Sequence, residues 1–306
     1  MSHLQEELTN YLCMRRNLGF KLSDAGRGLS FFVSFLEKQA ASHITTQLAL
    51  QWAQSTSVSP QEWARCLGYV RGFARYLSAI DPSNEIPSVE LLPYKPKRAR
   101  PYLYSEQEVE QLLAEALCLP PKNGLRGLTY HCLFGLLIVS GLRISEALNL
   151  KVEDVDLDNG ILIVLGSKFG KSRLVPLHPS TQKVLRDYRS ARDRIFKKRA
   201  AIYFFVNSKC NRLDGGDVRR TFYSISRQIG LRGKESSTGP RIHDFRHRMA
   251  TQTLLQWYRS GINPESRLPV LAAYLGHVHV SDTYWYLTAC PELMEEAVQC
   301  LERRGR

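Results

Sequence analysis

The stretch that decides the fold runs from Gly160 to Leu177 and reads GILIVLGSKFGKSRLVPL. Two short runs of β-branched and aliphatic residues flank a glycine-containing turn, which is the pattern of a β-hairpin. Residues Tyr203 to Val206 predict one further short strand. Because nearly all the remaining apolar positions have helical spacing, the sequence predicts a mostly α protein with a small antiparallel sheet in its second half.

Helical patterns lie on both sides of the hairpin. Upstream, Ser105 followed by Glu106 and Glu108 indicates an N-capped helix. Downstream, helical spacing resumes at Val218, and a last helix is predicted from Pro291 through Leu301. Residues 1–90 read as helical throughout and predict a small bundle. Its apolar stripes comprise Leu29, Phe32, Val33, Leu36, Trp63, Leu67, Val70, Phe73, Ala74 and Leu77.

A basic, proline-rich segment at residues 86–101 interrupts the helices. It contains four prolines and the cations Lys95, Lys97, Arg98 and Arg100. It is either a solvated tether or a strap that lies on a sugar-phosphate backbone, and we favour the strap because it joins two basic regions. The predicted organisation is a helical domain over residues 1–90, this linker, and a second domain over residues 102–306.

Composition limits the class of protein. The 306 residues carry a formal net charge of +13, which is typical of a protein that binds a polyanion. Seven cysteines, odd in number and never spaced Cys-x-x-Cys, argue against both a disulfide scaffold and a zinc site. We find no signal-peptide pattern and no apolar run long enough to span a bilayer, so we expect a cytoplasmic protein with no membrane partner.

Candidate functional residues form four short motifs. They are Gly141-Leu-Arg143, His243-x-x-Arg246, Leu275-Gly-His277 and an aromatic cluster that contains Tyr284 and Tyr286. Arginine forks match phosphate oxygens, and a tyrosine can form a covalent intermediate when its neighbours activate it. Each motif is weak alone, since a surface arginine, a polar helix face, a surface histidine or an apolar patch would explain it equally well.

Taken together and in this order, the four motifs resemble those of the tyrosine recombinase (phage integrase) family. The resemblance covers residue 100 to the end, and residues 1–90 look like the family's core-binding domain with less diagnostic sequence. It implies a clamp that holds double-stranded DNA between a helical bundle and an α+β catalytic domain. Phe245 inside the His-x-x-Arg motif departs from the common aliphatic residue there.

The resemblance implies a role for each phosphate-binding residue. Arg143 and Arg246 would hold the non-bridging oxygens of the scissile phosphate and stabilise the charge of the transition state. His277 would donate a hydrogen bond to a phosphate oxygen. Glu146 matches an acidic position that supports the geometry of these groups.

The same resemblance assigns the proton transfers and the nucleophile. Lys168 would protonate the leaving 5′-oxygen, with Lys171 as the second choice because the turn is one residue longer than usual. His243 would assist proton transfer at the nucleophile. Tyr286 would form a 3′-phosphotyrosine link, and Tyr284 is the neighbour most easily mistaken for it.

The implied function is site-specific DNA recombination or integration without metal, nucleotide or other cofactor. Four copies would act on two duplexes as a homotetramer, and partner recombinases acting alongside remain an open alternative. The stretch from His279 to Pro291 favours a mobile-element integrase over a chromosome-dimer resolvase. Two other functions stay open at this point: a type IB topoisomerase-like nicking and closing enzyme, and a non-catalytic DNA-binding accessory protein.

Overall fold

The computed structural model describes residues 2–56, 59–92, 100–122, 124–166, 172–197, 199–236, 238–277, 279–288, 292–296 and 298. Contacts between Cα atoms group the chain into two compact units, Met1–Ala99 and Arg100–Arg306. Within the described ranges, no helix combines the length and the apolar character needed to cross a membrane.

The first unit is built from helices. In the part that the structure describes these are α1 His3–Asn17, α2 Ser23–Lys38, α3 Thr46–Ser55 and α4 Pro60–Ser78. The side chain of Thr45 caps α3 by accepting a hydrogen bond from the backbone N–H of Leu48, 3.2 Å away. Phe32 and Phe73 are fully buried, because each helix turns one apolar stripe towards the others. The prediction of a helical bundle is confirmed.

The second unit surrounds a central helix, α6, that is buried on nearly all sides. Helices α5, α8 and α10 pack against it. The Ser105 side chain and Glu108 form the capping box that begins α5, as the sequence predicts. The helices of this unit are α5 Glu106–Leu117, α6 Leu125–Ser140, α7 Ile144–Asn149, α8 Pro179–Ile195, α9 Gly215–Gln228, α10 Asp244–Arg259, α11 Pro264–Leu275 and α12 Ser281–Thr288.

A three-stranded antiparallel sheet lies beside these helices. Its strands are β1 Val155–Asp156, β2 Ile161–Val164 and β3 Arg173–Pro176, in the order β1-β2-β3. Leu162 pairs with Val175 across the hairpin, and both side chains are buried. The predicted hairpin is therefore confirmed, whereas β1 was not anticipated.

The strand predicted at Tyr203 to Val206 does not form. Tyr203 and Val206 make only isolated bridges, to Lys151 and Arg212 respectively. The apolar character of the segment is explained by burial, since Phe204 and Phe205 are each about 1% exposed. The backbone N–H of Val206, for example, donates to a side-chain hydroxyl and not to a neighbouring strand. The segment therefore does not add a third strand to the hairpin through a continuous ladder of backbone hydrogen bonds.

Two glycines end helices next to the candidate motifs. Gly141 follows α6 with φ of +61°, and Gly276 follows α11 with φ of +67°. Both lie in the left-handed region that favours glycine, which suits a residue that ends a helix. Of the last helix, residues 292–296 are helical and Leu293 is buried, while its predicted remainder lies largely outside the described residues.

Candidate active site

Arg246 lies at the centre of the candidate site. It is only about 2% exposed, and its two terminal nitrogens donate to the backbone carbonyls of Gly141, at 2.7 Å, and of Leu275. Those carbonyls belong to the C-terminal ends of α6 and α11, where the helix dipoles attract a cation. The guanidinium of Arg246 therefore joins three motifs. The first and the last of these are more than a hundred residues apart in the sequence.

Arg143 lies beside Arg246 and occupies the N-cap position of α7. Its Nη1 donates to Glu146 Oε1 at 2.8 Å, and its Nη2 donates to the carbonyl of Gly276 at 3.2 Å. Glu146 also accepts a bond from the Arg143 backbone N–H at 2.9 Å, which closes the first turn of the helix. The Arg143 side chain remains 22% exposed, so part of its guanidinium faces solvent.

Arg173 is the residue of this site that sequence reasoning missed. It begins β3 and donates to both oxygens of Glu146, at 3.0 and 2.9 Å. Burial raises the pKa of the Glu146 carboxyl, but the hydrogen bonds from Arg173 and Arg143 outweigh it and hold that pKa below its ordinary value. A buried carboxylate is rarely left unpaired, but the burial of Glu146 is visible only in the structure, so the sequence offered no signal for this arginine.

Two histidines lie one helical turn apart at the start of α10. His243 occupies the N-cap position, and His247 follows it inside the helix. Their ring centroids are 5.2 Å apart with the rings nearly perpendicular. Burial, and then the charges of Arg246 and neighbouring cations, lower the pKa of His243. Burial and the adjacent His243 lower the pKa of His247 to about 4, so both rings are neutral near pH 7.

His277 lies just past the end of α11, in the loop that leads to α12. Its Nδ1 and the hydroxyl of Thr283 are 2.7 Å apart, and Thr283 is fully buried. Burial and then the charge of Arg246 lower the pKa of His277 to about 4. This imidazole is therefore also neutral near pH 7.

Tyr286 and Tyr284 differ sharply although both lie on α12. Tyr286 is 3% exposed, whereas Tyr284 is 50% exposed. The Tyr286 ring stacks on His277 at 5.9 Å and meets the edge of His247 at 5.1 Å. The guanidinium of Arg246 lies beside its hydroxyl.

The unusual Phe245 of the His-x-x-Arg motif has a packing explanation. It is about 1% exposed and contacts the rings of Tyr104, Phe134 and Phe222 at centroid distances of 4.8, 6.3 and 5.7 Å. This aromatic cluster anchors the first turn of α10, and so it fixes the direction of the neighbouring Arg246.

Several candidate residues have no described position. Lys168, its alternative Lys171, and the linker cations Lys95, Lys97 and Arg98 all lie outside the described residues. Arg100 is described and is exposed. The structure thus brings together six of the candidates, namely Arg143, Glu146, His243, Arg246, His277 and Tyr286.

These groups form a cationic cluster around a phenol. Three arginines and one carboxylate leave a net positive charge, and three neutral imidazoles add hydrogen-bonding groups without adding charge. Such a site favours a bound phosphodiester and stabilises the extra negative charge that develops when the phenol attacks it.

Comparison with known proteins agrees with this chemistry. Residues 103–292 match the model of the phage integrase family. The protein y4rB of Sinorhizobium fredii, which carries a provisional integrase/recombinase name, is 55% identical over 99% of this chain and 98% of its own length. The tyrosine recombinase XerA of Thermococcus kodakarensis is 30% identical over 68% of this chain and 65% of its own length.

A solved structure shares the fold. The integrase of the Tn1549 transposon, in complex with transposon right end DNA, matches with a TM-score of 0.62 over 98% of this chain and 99% of that chain. The two sequences are 15% identical, so this likeness concerns the fold alone.

Proposed function

The chain belongs to the phage integrase family of tyrosine recombinases, and from this premise we propose that it is a site-specific DNA recombinase with Tyr286 as its nucleophile. The observation that carries the assignment is the burial of Tyr286 between two imidazoles, with the guanidinium of Arg246 beside it. All of these groups come from one chain. We therefore propose that each protomer cleaves with its own tyrosine.

The arginines bind the scissile phosphate. Arg143 retains exposed side-chain surface and Arg246 lies beside Tyr286, so a phosphodiester bound here would meet both cations next to the attacking oxygen. Their charge stabilises the pentacoordinate transition state more than the ground state, which is the condition for catalysis. Glu146 keeps Arg143 in place, and His277, oriented by Thr283, donates to a phosphate oxygen.

The attack transfers the 3′-phosphate to the Tyr286 oxygen and releases a 5′-hydroxyl. The leaving oxygen needs a proton, and we assign this transfer to Lys168 on the hairpin that β3 completes. The phosphotyrosine bond conserves the energy of the cut strand, so religation to another 5′-hydroxyl requires no nucleotide. Exchange of both strand pairs between two duplexes then calls for four protomers, which makes a homotetramer the proposed assembly.

Positive charge supplies affinity for DNA. A net charge of +13 attracts the backbone of a duplex, and we propose that Lys95, Lys97, Arg98 and Arg100 contact its phosphates. The proposed location is the cytoplasm, where DNA is accessible. The proposed substrate is the pair of ends of a mobile element, in keeping with the integrase/recombinase name of y4rB.

A suicide substrate tests this function. Purified protein is incubated with chelator and nicked DNA that carries the ends of its own genetic element, so that the cleaved strand diffuses away. We expect a denaturation-resistant protein–DNA adduct that mass spectrometry maps to Tyr286. An adduct at Tyr284 would overturn the choice of nucleophile, and tight binding without any adduct would favour a non-catalytic accessory protein.

A further inference from the structure

His247 is a buried imidazole to which the roles above assign no function. The residue is about 8% exposed, and its Nδ1 has no hydrogen-bond partner among the described residues. A buried polar atom without a partner destabilises a protein. A phenylalanine would fill the same space without that penalty. The nitrogen therefore calls for an explanation other than packing.

The position of His247 supplies the explanation. Its ring touches Tyr286 on one side, at 5.1 Å between centroids, and His243 on the other, at 5.2 Å. Among the ring contacts of the described residues, His243 meets His247 and not Tyr286. His277 also contacts Tyr286, but its Nδ1 is already engaged with Thr283. His247 is thus an imidazole beside Tyr286 with a buried nitrogen that has no partner among the described residues.

We propose that His247 is the catalytic proton acceptor for Tyr286, a role that rests on the proposed function of the site. As the phenol attacks, its O–H bond breaks, the oxygen forms a bond to phosphorus, and the proton passes to the free ring nitrogen of His247. The 5′-oxygen leaves with the electron pair of its own P–O bond and takes a proton from the general acid. In religation the imidazolium returns its proton to the tyrosine oxygen.

The surroundings of His247 keep its ring neutral, and a neutral imidazole can accept a proton. The charged and titratable groups that face it are His243, Asp244, Arg241, Arg246 and Tyr286. The cations favour the neutral ring in the empty site. A bound phosphodiester would partly offset their charge and so stabilise the imidazolium that forms during attack. Arg246 lies beside the tyrosine hydroxyl but has no acceptor atom, so it leaves the hydroxyl proton available to His247.

The variants His247→Phe and His247→Gln test this assignment. Phenylalanine keeps the ring packing and removes both nitrogens, while glutamine keeps polar groups and is not a base. We measure adduct formation in a single turnover on the suicide substrate, together with DNA affinity and thermal unfolding. The exposed His279 is changed to Phe as a matched control. We expect both His247 variants to bind DNA and fold normally but to cleave slower by on the order of 10²-fold.

Two further readouts separate proton acceptance from packing. A 5′-bridging phosphorothiolate substrate has a leaving group that needs no proton, so it rescues a defect in the general acid but not one in the base. We therefore expect the His247 variants to remain slow on it. We also expect their rates to rise steadily between pH 7 and 9.5, because the phenol must then lose its proton to solvent.

The outcomes are distinguishable. Wild-type protein that forms no adduct would contradict the proposed function itself. Wild-type adduct together with a His247→Phe rate within threefold of wild type, or full rescue by the phosphorothiolate, would overturn the role of His247 and leave the recombinase assignment intact.

Discussion

Arg173 and Glu146 form a side-on ion pair, with Nη1 and Nη2 of the arginine 3.0 and 2.9 Å from Oε1 and Oε2 of the carboxylate. Glu146 is shared, because its Oε1 also accepts from Arg143 at 2.8 Å. The Nε of Arg173 donates to the carbonyl of Tyr274 at 2.7 Å. The hairpin strand β3 is thereby tied both to the phosphate-binding Arg143 and to the last turn of α11.

Loss of this pair should weaken both the fold and the reaction. In Arg173→Ala the buried Glu146 keeps only Arg143 as a partner, so we expect a destabilisation near 3 kcal/mol, the lower end for a broken buried pair. Adduct formation should fall roughly tenfold or more, because Glu146 no longer holds the Arg143 side chain in its position. Denaturant unfolding and the suicide substrate measure the two effects.

The control for that variant is Arg220→Ala, which breaks an exposed pair with Asp217. Exposed pairs contribute less than about 1 kcal/mol. Equal destabilisation by the two substitutions would show that the buried Arg173–Glu146 pair contributes no more to the free energy of unfolding than an exposed pair does.

Tyr286→Phe should abolish covalent capture of DNA and leave DNA affinity unchanged. The substitution removes only the hydroxyl that forms the phosphotyrosine, and the ring still packs between His247 and His277. Tyr284→Phe is the matched control on the same helix and should retain capture, since half of that side chain faces solvent. Gel-shift and adduct assays on the same DNA measure both properties; capture retained in the first variant and lost in the second would reverse the assignment.

Gly276→Ala should disturb the site through Arg173. A Cβ at this position would lie 2.8 Å from Arg173 Nη1, in addition to the strain of a side chain at φ of +67°. Gly230→Ala isolates the strain, because its φ is +77° and nothing lies within 4 Å of the added carbon. Both should lose about 1 kcal/mol from the backbone, and Gly276→Ala a further 1–3 kcal/mol from overpacking.

Adduct formation should fall in Gly276→Ala alone, because only this substitution displaces the arginine that holds Glu146. Identical unfolding curves for the two alanine variants would contradict the close approach of Arg173 to the helix end.

Stability should fall on acidification below neutral pH. Burial lowers the pKa of His247 and of His277 to about 4, from an ordinary value of 6.5. The unfolded chain therefore binds more protons than the folded chain between these two values. The contribution of the neutral rings is fully present above pH 6.5 and is lost as the pH falls towards 4.

Thermal unfolding at pH 7.5 and pH 5 tests this expectation. The midpoint should fall between the two conditions, and the fall should be smaller in His247→Phe, which has one fewer buried group to protonate. An equal fall in both proteins would mean that His247 does not titrate differently in the folded and unfolded chains.

Binding of DNA should weaken steeply as salt rises. Each phosphate contact contributes about 0.9 to the slope of log affinity against log salt concentration. Replacing Lys95, Lys97, Arg98 and Arg100 together by alanine should therefore reduce that slope by up to about 4 if all four contact the backbone. Fluorescence anisotropy on a duplex over a salt series measures the slope, and an unchanged slope would favour the solvated tether over the strap.

Local signals in the sequence determined the secondary structure around the site. The Ser105 capping box, the glycine stops at Gly141 and Gly276, and the hairpin around Gly166 depend on neighbouring residues and on backbone preferences, which a sequence displays directly. The order of the motifs and the excess of basic residues likewise indicated phosphodiester chemistry on DNA. The prediction of a short strand at Tyr203 to Val206 was wrong. The apolar residues there are buried, but their backbones form only isolated bridges and no ladder of hydrogen bonds.

Only the tertiary structure decided which side chains share the site and how each is held. Tyr284 and Tyr286 are two residues apart on one helix, and the rotation of α12 against α10 and α11 buries one and exposes the other. The pairing of Arg173 with Glu146 and the orphaned nitrogen of His247 arise where elements distant in the chain pack together. Burial and hydrogen-bond partners are properties of that packing, so no local pattern in the sequence could have displayed them.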